Sequence, residues 1–364
     1  MTQRVFNFSP GPAVLPTPVL EQIQAEMLSL PGVGMSILEI SHRSKAFDAI
    51  LAEATQGIRD LLSVPAGYHI VFLQGGASLQ FHMVAANLLR GSGKTADYVL
   101  AGTWGIKAIE EAKREGKTNV AWDGKPTNYN RMPKSGELKL TPDAAYVHVT
   151  DNETIQGIEF PNTPEVATAP LVCDASSNFL SKPIPVDRYG MIYACAQKNA
   201  GPSGVTVVIA RDELIRKAPA NLPSMLDYRQ YADNESRYNT PPTFGIYVVM
   251  LITRWLKNNM GGLAKMQQHN RSKAALLYEV LDAHPKFYQG HAERDCRSQM
   301  NVTFRLPNET LEKAFLDGAK QRQLIDLKGH RSVGGIRASI YNAMPREGVE
   351  TLQKFMLEFA KQNS

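Results

Sequence analysis

The sequence predicts an α/β fold in which a large domain has a mostly parallel central sheet between helices and a smaller domain is α+β. At 364 residues the chain exceeds the size at which one hydrophobic core usually stops growing. Between residues 68 and 173, short apolar runs alternate with longer segments, which is typical of a parallel sheet. The Gly261-Gly262 pair indicates a boundary. We therefore expect a large domain at 16–260 and a small domain formed by 1–15 and 261–364.

The individual elements follow in chain order. An amphipathic helix is expected behind Thr17-Pro18, with apolar residues at positions 20, 23, 27 and 28. Strands are predicted at residues 69–73, 98–100, 145–149, 170–173, 191–194 and 205–210. The last two strands lie too close together for a crossover helix, so an antiparallel pair is expected there. Long helices are predicted around 247–256 and near the C-terminus, where residues 349, 352, 356 and 359 form an apolar face.

Composition limits the class of protein. The 40 basic and 35 acidic residues give a net charge of +5 without a basic run, so no nucleic-acid partner is expected. The three cysteines are far apart and lack the spacing of zinc sites or small disulfide frameworks. No apolar stretch is long enough to span a membrane, and the first residues do not resemble an export signal. We expect a cytoplasmic protein without a metal site.

Two residues at predicted strand ends suggest cofactor chemistry. Lys198 follows the run 191–194 and precedes a glycine-rich turn, where burial would lower the pKa of its amine and favour Schiff-base formation. A solvated loop lysine is the plainer interpretation. Asp174 ends the run 170–173, where it could cap the following turn or face a ligand at the carboxyl edge of the sheet. Together the two residues would suit pyridoxal phosphate, whose ring nitrogen needs a carboxylate.

Further segments could bind anions or a flat ring. The small-residue loop at 74–78 joins a predicted strand to a helix, and a helix N-terminus with free amides suits a phosphate. Trp104 could stack on a ring or simply pack half-buried. Arginines in the segments 41–43 and 328–337 could clamp carboxylate or phosphate groups, although solvated surface charge is the default for each.

The segment Gly91-Ser92-Gly93-Lys94-Thr95 ends like a P-loop and raises the competing class of nucleotide hydrolases. The spacing fails, because a P-loop needs a glycine at the position of Leu88 and a strand before it, where this chain has a predicted helix. We interpret the segment as a turn at the end of a helix.

Taken together, these residues resemble the phosphoserine aminotransferase family, a branch of the class V, fold-type I pyridoxal-phosphate enzymes. The resemblance runs from Phe6 to the final helix, and no single short motif carries it. Its most specific stretches are NFSPGP (7–12), SHR (41–43), AQKNAGP (196–202), NTPPT (239–243), GHR (329–331) and RASIYNAM (337–344).

The resemblance implies roles for particular residues. Lys198 would be catalytic and bind the cofactor pyridoxal 5'-phosphate. The other cofactor-binding residues would be Ala77, Ser78, Trp104, Thr154, Asp174, Gln197, Asn239 and Thr240. The substrate-binding residues would be Ser9, His42, Arg43, His330, Arg331 and Arg337. Asn239 and Thr240 would reach the cofactor of a neighbouring subunit, so the resemblance also implies a homodimer with shared active sites.

The implied reaction transfers an amino group from L-glutamate to 3-phosphohydroxypyruvate by a ping-pong mechanism, giving 2-oxoglutarate and O-phospho-L-serine. Formation of 4-phosphohydroxy-L-threonine from its phosphorylated keto acid, in vitamin B6 biosynthesis, is implied as well. One departure concerns Ser78, where some members carry an arginine, so phosphate binding would depend more on His330 and Arg331. A desulfurase, with Cys296 as nucleophile, and a non-enzymatic phospho-ligand binder are the alternatives.

Overall fold

The structure, a computed structural model, describes residues 4–166 and 168–363. Positions 1–3, 167 and 364, which fall within the predicted domain ranges, lie outside the described residues. The described strands are β1 (Phe6–Asn7), β2 (Tyr68–Leu73), β3 (Thr95–Leu100), β4 (Lys117–Asp123), β5 (Val147–Thr150), β6 (Asn152–Glu153), β7 (Ile158–Glu159), β8 (Leu171–Asp174), β9 (Met191–Cys195), β10 (Thr206–Arg211), β11 (Gln289–Gly290), β12 (Asn301–Arg305), β13 (Leu324–Ile325) and β14 (Ile336–Ser339).

The helices surround these strands. They are α1 (Thr17–Glu26), α2 (Lys45–Leu62), α3 (Gly76–Leu88), α4 (Thr103–Ala112), α5 (Asp212–Ile215), α6 (Tyr228–Asp233), α7 (Thr243–Asn258), α8 (Leu263–Ala283), α9 (Glu309–Gln321) and α10 (Arg346–Asn363). The first helix differs from its prediction, because it ends at Glu26 and leaves the side chain of Leu28 89% exposed. The apolar face predicted for the C-terminal helix is confirmed, since all four of its residues are buried.

A seven-stranded sheet forms the centre of the part of the chain that the structure describes, with the strand order β2-β10-β9-β8-β5-β3-β4. Strand β10 runs antiparallel to both β9 and β2, while the other neighbours are parallel. The α/β fold with a mostly parallel sheet and the predicted antiparallel pair are both confirmed. The edge strand β4 was missed, because its exposed, polar sequence gives no apolar run.

The register of the sheet brings polar strand ends together. In the parallel pairs, Thr150 of β5 lies beside Asp174 of β8, and Asp174 lies beside Tyr193 of β9. Because parallel strands end at a common edge, the turns after β5, β8 and β9 open on one side of the sheet. This edge is where the sequence placed Asp174 and Lys198.

Apolar side chains form separate clusters on the two faces of the sheet and beneath a smaller three-stranded antiparallel sheet of order β11-β12-β14. Helix α8 links them, because Leu263 and Met266 pack in the core of the large sheet whereas Leu277 and Leu281 pack under the small one. The Gly261-Gly262 pair precedes this helix, and both glycines have positive φ angles. The domain division at residue 261 stays a prediction.

Candidate active site

A cavity of about 350 Å³ opens at the carboxyl edge of the central sheet. Turns and helix ends from distant parts of the chain form its wall. Nine of the residues predicted from the sequence line it: Ala77, Ser78, Trp104, Thr154, Asp174, Gln197, Lys198, His330 and Arg337. The cavity therefore joins the lysine, the aspartate, the glycine-rich loop and two of the predicted cationic side chains in one place.

Lys198 lies in the turn after β9, and its Nζ is 5.4 Å from the centre of the Trp104 ring. The N-terminal segment covers the aliphatic stem, because Gly11 packs beside it and Ala13 N donates a 2.8 Å hydrogen bond to the Gln197 carbonyl. Burial lowers the pKa of the Lys198 ammonium, but Tyr341, Cys195 and Asp174 outweigh that effect and raise it above 10.5. The expectation of a lowered pKa was wrong for the chain alone.

Asp174 ends β8 with its carboxyl buried in the cavity wall. Its Oδ1 accepts a 2.9 Å hydrogen bond from Ser176 N, so it does cap the following turn while also facing the cavity. Burial raises the pKa of Asp174, whereas the Ser176 donors and the Lys198 charge oppose that effect. A carboxylate in this position can pair with a cationic ring nitrogen.

Trp104 occupies the first turn of α4 and is held at both its ring and its backbone. Its indole Nε1 donates a 2.9 Å hydrogen bond to Thr154 Oγ1, and its backbone N donates to Glu153 Oε2 at 3.1 Å. The ring is half-buried and forms part of the cavity wall. Packing and ring stacking, the two interpretations of Trp104, are thus compatible.

The glycine-rich loop leads into α3, and the N-terminus of this helix lines the cavity. Gly75 has φ +86°, and a Cβ there would lie 2.5 Å from the Leu79 side chain, so the turn requires glycine. Amides in the first turn of an α-helix have no intrahelical acceptor, and the helix dipole adds a partial positive charge. The amides of Gly76 to Ser78 therefore have the free donors and the partial positive charge that suit an anion.

Cationic side chains form part of the cavity wall or lie close to it. Arg337 is 7% exposed, its Nη1 donates to the Thr154 carbonyl at 3.3 Å, and its Nε has no hydrogen-bond partner among the described residues. Burial and the charges of Arg337, Arg331 and Lys107 lower the pKa of His330. Lys107 Nζ lies 4.7 Å from the Trp104 ring centre. This wall suits an anionic substrate.

Sequence reasoning missed several polar residues that line the same cavity. Thr150, Asn152 and Ser176 follow or end strands of the central sheet, and they lie beside Asp174 or Lys198. Thr150 Oγ1 and Asn152 Oδ1 are buried without hydrogen-bond partners in the described part of the chain. For Thr150 and Asn152, the signal in the sequence was their position just after the predicted strand at 145–149.

Six predicted residues do not line this cavity: Ser9, His42, Arg43, Arg331, Asn239 and Thr240. Arg43 is exposed and donates from Nε to His42 Nε2 at 3.4 Å, just before α2. Asn239 and Thr240 lie in the loop before α7, where Thr240 is exposed. These six residues thus lie outside the wall of the cavity that contains Lys198.

The competing sites receive little support from the geometry. Cys296 is 4% exposed and lies outside the cavity, and burial raises the pKa of its thiol to about 11, which disfavours a nucleophilic thiolate. The segment at 91–95 is the predicted turn between α3 and β3, and Lys94 there forms an ion pair with Asp143. No described helix has the length and apolar character needed to cross a membrane.

Comparisons with known proteins agree with this geometry. The family model for class-V aminotransferases matches residues 5–352. The chain belongs to the class-V aminotransferases. A class-V relative, the phosphoserine aminotransferase of Rhodopirellula baltica, is 54% identical over 363 residues, which cover 100% of this chain and 96% of the relative.

Solved structures of class-V aminotransferases extend the likeness to three dimensions. The phosphoserine aminotransferase of Bacillus circulans subsp. alkalophilus superposes with a TM-score of 0.97 at 48% identity, covering 99% of both chains. The pyridoxal-phosphate-bound phosphoserine aminotransferase of Trichomonas vaginalis gives a TM-score of 0.92 at 42% identity, covering 97% of this chain and 100% of the other. The fold is therefore that of fold-type I aminotransferases.

Proposed function

We propose that this class-V aminotransferase is a pyridoxal-phosphate-dependent phosphoserine aminotransferase. In that reaction L-glutamate supplies an amino group to 3-phosphohydroxypyruvate, giving 2-oxoglutarate and O-phospho-L-serine. The observation that carries the proposal is the convergence of Lys198, Asp174 and the α3 N-terminus on one cavity. The full-length likeness to phosphoserine aminotransferases at about half identity supports the choice of substrates.

The residues of the cavity fit pyridoxal phosphate. Lys198 would bind the aldehyde, Asp174 would face the ring nitrogen, and the N-terminus of α3 would bind the phosphate, since all three line the same cavity. The Thr150 hydroxyl, which is buried beside Asp174 without a partner among the described residues, is a further group that could form a hydrogen bond with the cofactor. Ala77, Ser78 and Gln197 would hold the phosphate, while Trp104 and Thr154 would hold the ring.

The bound cofactor supplies an electron sink for the substrate α-carbon. Lys198, the lysine of the cavity wall in the turn after β9, would move the proton at that carbon through its Nζ. Asp174 would pair with the ring nitrogen and favour its protonated form, because its carboxyl group lies in the cavity wall. The N-terminal segment around Gly11 packs against the lysine stem and helps to exclude water.

The substrate would be held by the cationic wall. Arg337 presents an unpaired Nε in a buried setting, so a carboxylate or phosphate there would gain a charge-assisted bond. His330 and Arg331 would bind the other anionic end, with Ser9, His42 and Arg43. Since one cavity serves both substrates in turn, we propose a ping-pong order, with the amino group first received from glutamate.

We also propose a homodimer with shared active sites. Asn239 and Thr240 lie outside the cavity of their own chain, which agrees with a role in a neighbouring subunit's site. The same cationic wall would accept the phosphorylated precursor of 4-phosphohydroxy-L-threonine, because that substrate is also a phosphorylated acid. Serine and vitamin B6 biosynthesis in the cytoplasm would be the setting.

The experiment that tests this function compares two lysine variants. Lys198→Ala should lose multiple turnover with glutamate and 3-phosphohydroxypyruvate, because no other lysine lines the cavity among the described residues. Lys94→Ala, at the surface in a pair with Asp143, is the matched control and should keep normal turnover. A Lys198→Ala protein with near-normal multiple turnover would refute the assignment.

A further inference from the structure

A buried carboxylate outside the set of predicted residues lies directly behind Trp104. Glu153 of β6 is 0% exposed and forms no ion pair among the described residues. Its Oε1 accepts a 2.9 Å hydrogen bond from Gly105 N, and its Oε2 accepts one of 3.1 Å from Trp104 N. Both carboxylate oxygens therefore accept hydrogen bonds from adjacent backbone amides in the first turn of α4.

The surroundings leave the Glu153 carboxyl group little freedom. A Cβ added at Gly102 would lie 2.6 Å from Glu153 Cδ, so the carboxyl group packs directly against that glycine. At Gly105, an added Cβ would lie 2.9 Å from the Val99 carbonyl oxygen. The Glu153 backbone is fixed as well, because its carbonyl accepts a 2.8 Å hydrogen bond from Gly157 N. Carboxylate, strand and helix start thus form one close-packed unit.

Glu153 and its neighbour Thr154 act on the two ends of the same residue. Glu153 holds the backbone amide of Trp104, while Thr154 Oγ1 accepts from the indole Nε1 at 2.9 Å. Fixing both the main chain and the ring edge defines the plane of the indole. An ordinary helix cap would require only the hydrogen bond from Trp104 N to Glu153. The second bond, from the indole to Thr154, fixes the ring as well.

We propose that Glu153 is a positioning residue for the cofactor, because its carboxylate fixes the start of α4 and thereby the plane that the Trp104 indole presents to the pyridine ring. The inference rests on the proposed cofactor and goes beyond it in assigning a role to a residue that does not line the cavity. A carboxylate suits this role, since two converging N–H groups require two acceptors and the helix N-terminus favours negative charge.

Burial and the neighbouring backbone amides act on the pKa of Glu153 in opposite directions. Burial raises its pKa to about 7, while the Gly105 and Trp104 amides lower it, Asp174 raises it and Lys198 lowers it. Tyr129 also faces it, from the loop after β4. Each oxygen of the Glu153 carboxyl group faces one backbone amide, Gly105 N at Oε1 and Trp104 N at Oε2.

The test is the isosteric variant Glu153→Gln, whose amide nitrogen would face one of the two N–H donors. The apoprotein is titrated with pyridoxal phosphate, and the visible absorption and the induced circular dichroism of the bound cofactor are recorded. We expect the Kd for pyridoxal phosphate to rise up to roughly 10-fold, the effect of losing a well-oriented contact between two aromatic rings. The induced dichroism should also change, since the indole plane shifts.

Glu159→Gln is the matched control. Glu159 is also a buried glutamate in the neighbouring strand β7, but its carboxylate accepts from Gln299 N and pairs with Lys182. This variant should keep the wild-type Kd and dichroism, whatever its thermal stability. A Glu153→Gln protein with wild-type Kd and dichroism and only a lowered Tm would overturn the proposal and leave Glu153 as a helix cap.

A second variant covers the case in which Glu153→Gln does not fold. Gly102→Ala keeps the carboxylate but places a Cβ against it, and the φ of −179° at Gly102 is allowed for alanine. It should raise the Kd in the same direction, and a wild-type Kd and dichroism would contradict the proposal. Failure of the wild-type protein itself to bind pyridoxal phosphate would instead refute the proposed function.

Discussion

Lys273 offers a stringent test of how the C-terminal region supports the active site. It lies on α8, its side chain is 0% exposed, and its Nζ donates to the carbonyl oxygens of Ile340, Tyr341, Asn342 and Met344 at 2.6–3.3 Å. This carbonyl cluster follows β14. The same segment contacts the site, because Asn342 N donates to Asn199 Oδ1 next to Lys198.

The variant Lys273→Met removes the donor while keeping most of the volume. The carbonyls of Ile340, Asn342 and Met344 then lose their donor at about 2 kcal/mol each, whereas the Tyr341 carbonyl keeps a 3.3 Å hydrogen bond from Met344 N. The variant also gains stability, because it no longer buries an amine. Burial lowers the pKa of Lys273 from 10.5 to about 7, and at about 1.36 kcal/mol per pKa unit this shift corresponds to a burial cost of about 5 kcal/mol. The free energy of unfolding should therefore fall by about 1 kcal/mol at pH 7.

The pH dependence of this difference has a definite sign. The folded-state pKa of Lys273 lies below that of the unfolded chain, so between pH 7 and 10.5 the unfolded chain binds more protons. The unfolding free energy of the wild-type protein therefore rises with pH across this window. That of Lys273→Met does not, because the variant has no group that titrates at this position. The difference in unfolding free energy should grow by at most about 1.4 kcal/mol per pH unit.

Urea unfolding of both proteins at pH 7 and pH 9 measures these quantities. Lys265→Met, at an exposed position of the same helix, is the control and should stay within about 0.5 kcal/mol of wild type. A Lys273→Met protein as stable as wild type at both pH values would refute the reasoning. It would mean that the carbonyl cluster does not need the amine.

Three further predictions concern the site itself. Asp174→Asn keeps the shape and the Ser176 contact but removes the charge, so steady-state assays should show roughly 100-fold slower turnover, and near-normal rates would contradict its role. Lys107→Gln removes one of the cations that lower the pKa of His330, so NMR titration should show that pKa rising; an unchanged or lower value would contradict the assigned electrostatics. Cys296→Ser should keep full aminotransferase activity, because the thiol is buried outside the cavity, and a large loss would revive the desulfurase alternative.

Sequence patterns found the strand ends because those patterns are local. Asp174 and Lys198 each follow a run of buried β residues, and the parallel register then places those ends at one edge. The direction of the Lys198 pKa shift was wrong for the opposite reason. Tyr341, more than a hundred positions away in the chain, contributes to that shift, and no local pattern places it there.

Glu153 and Lys273 show what the sequence did not make apparent. Glu153 is buried only because Gly102 and Gly105, on another element, leave room for its carboxylate. Lys273 carried a usable signal, since it falls on the apolar face of α8 at helical spacing from Met266 and Leu277. Its partners, four backbone carbonyls, leave no trace in the side-chain sequence.

The most direct test of the central claim is the visible absorption spectrum of the purified protein with pyridoxal phosphate, recorded after adding L-glutamate and again after adding 3-phosphohydroxypyruvate. The account predicts a band from the cofactor bound at Lys198 that glutamate bleaches and the phosphorylated keto acid restores. A protein that binds the cofactor but gives no response to either substrate would contradict the proposed reaction. A protein that binds no cofactor would contradict the proposed role of Lys198 and Asp174.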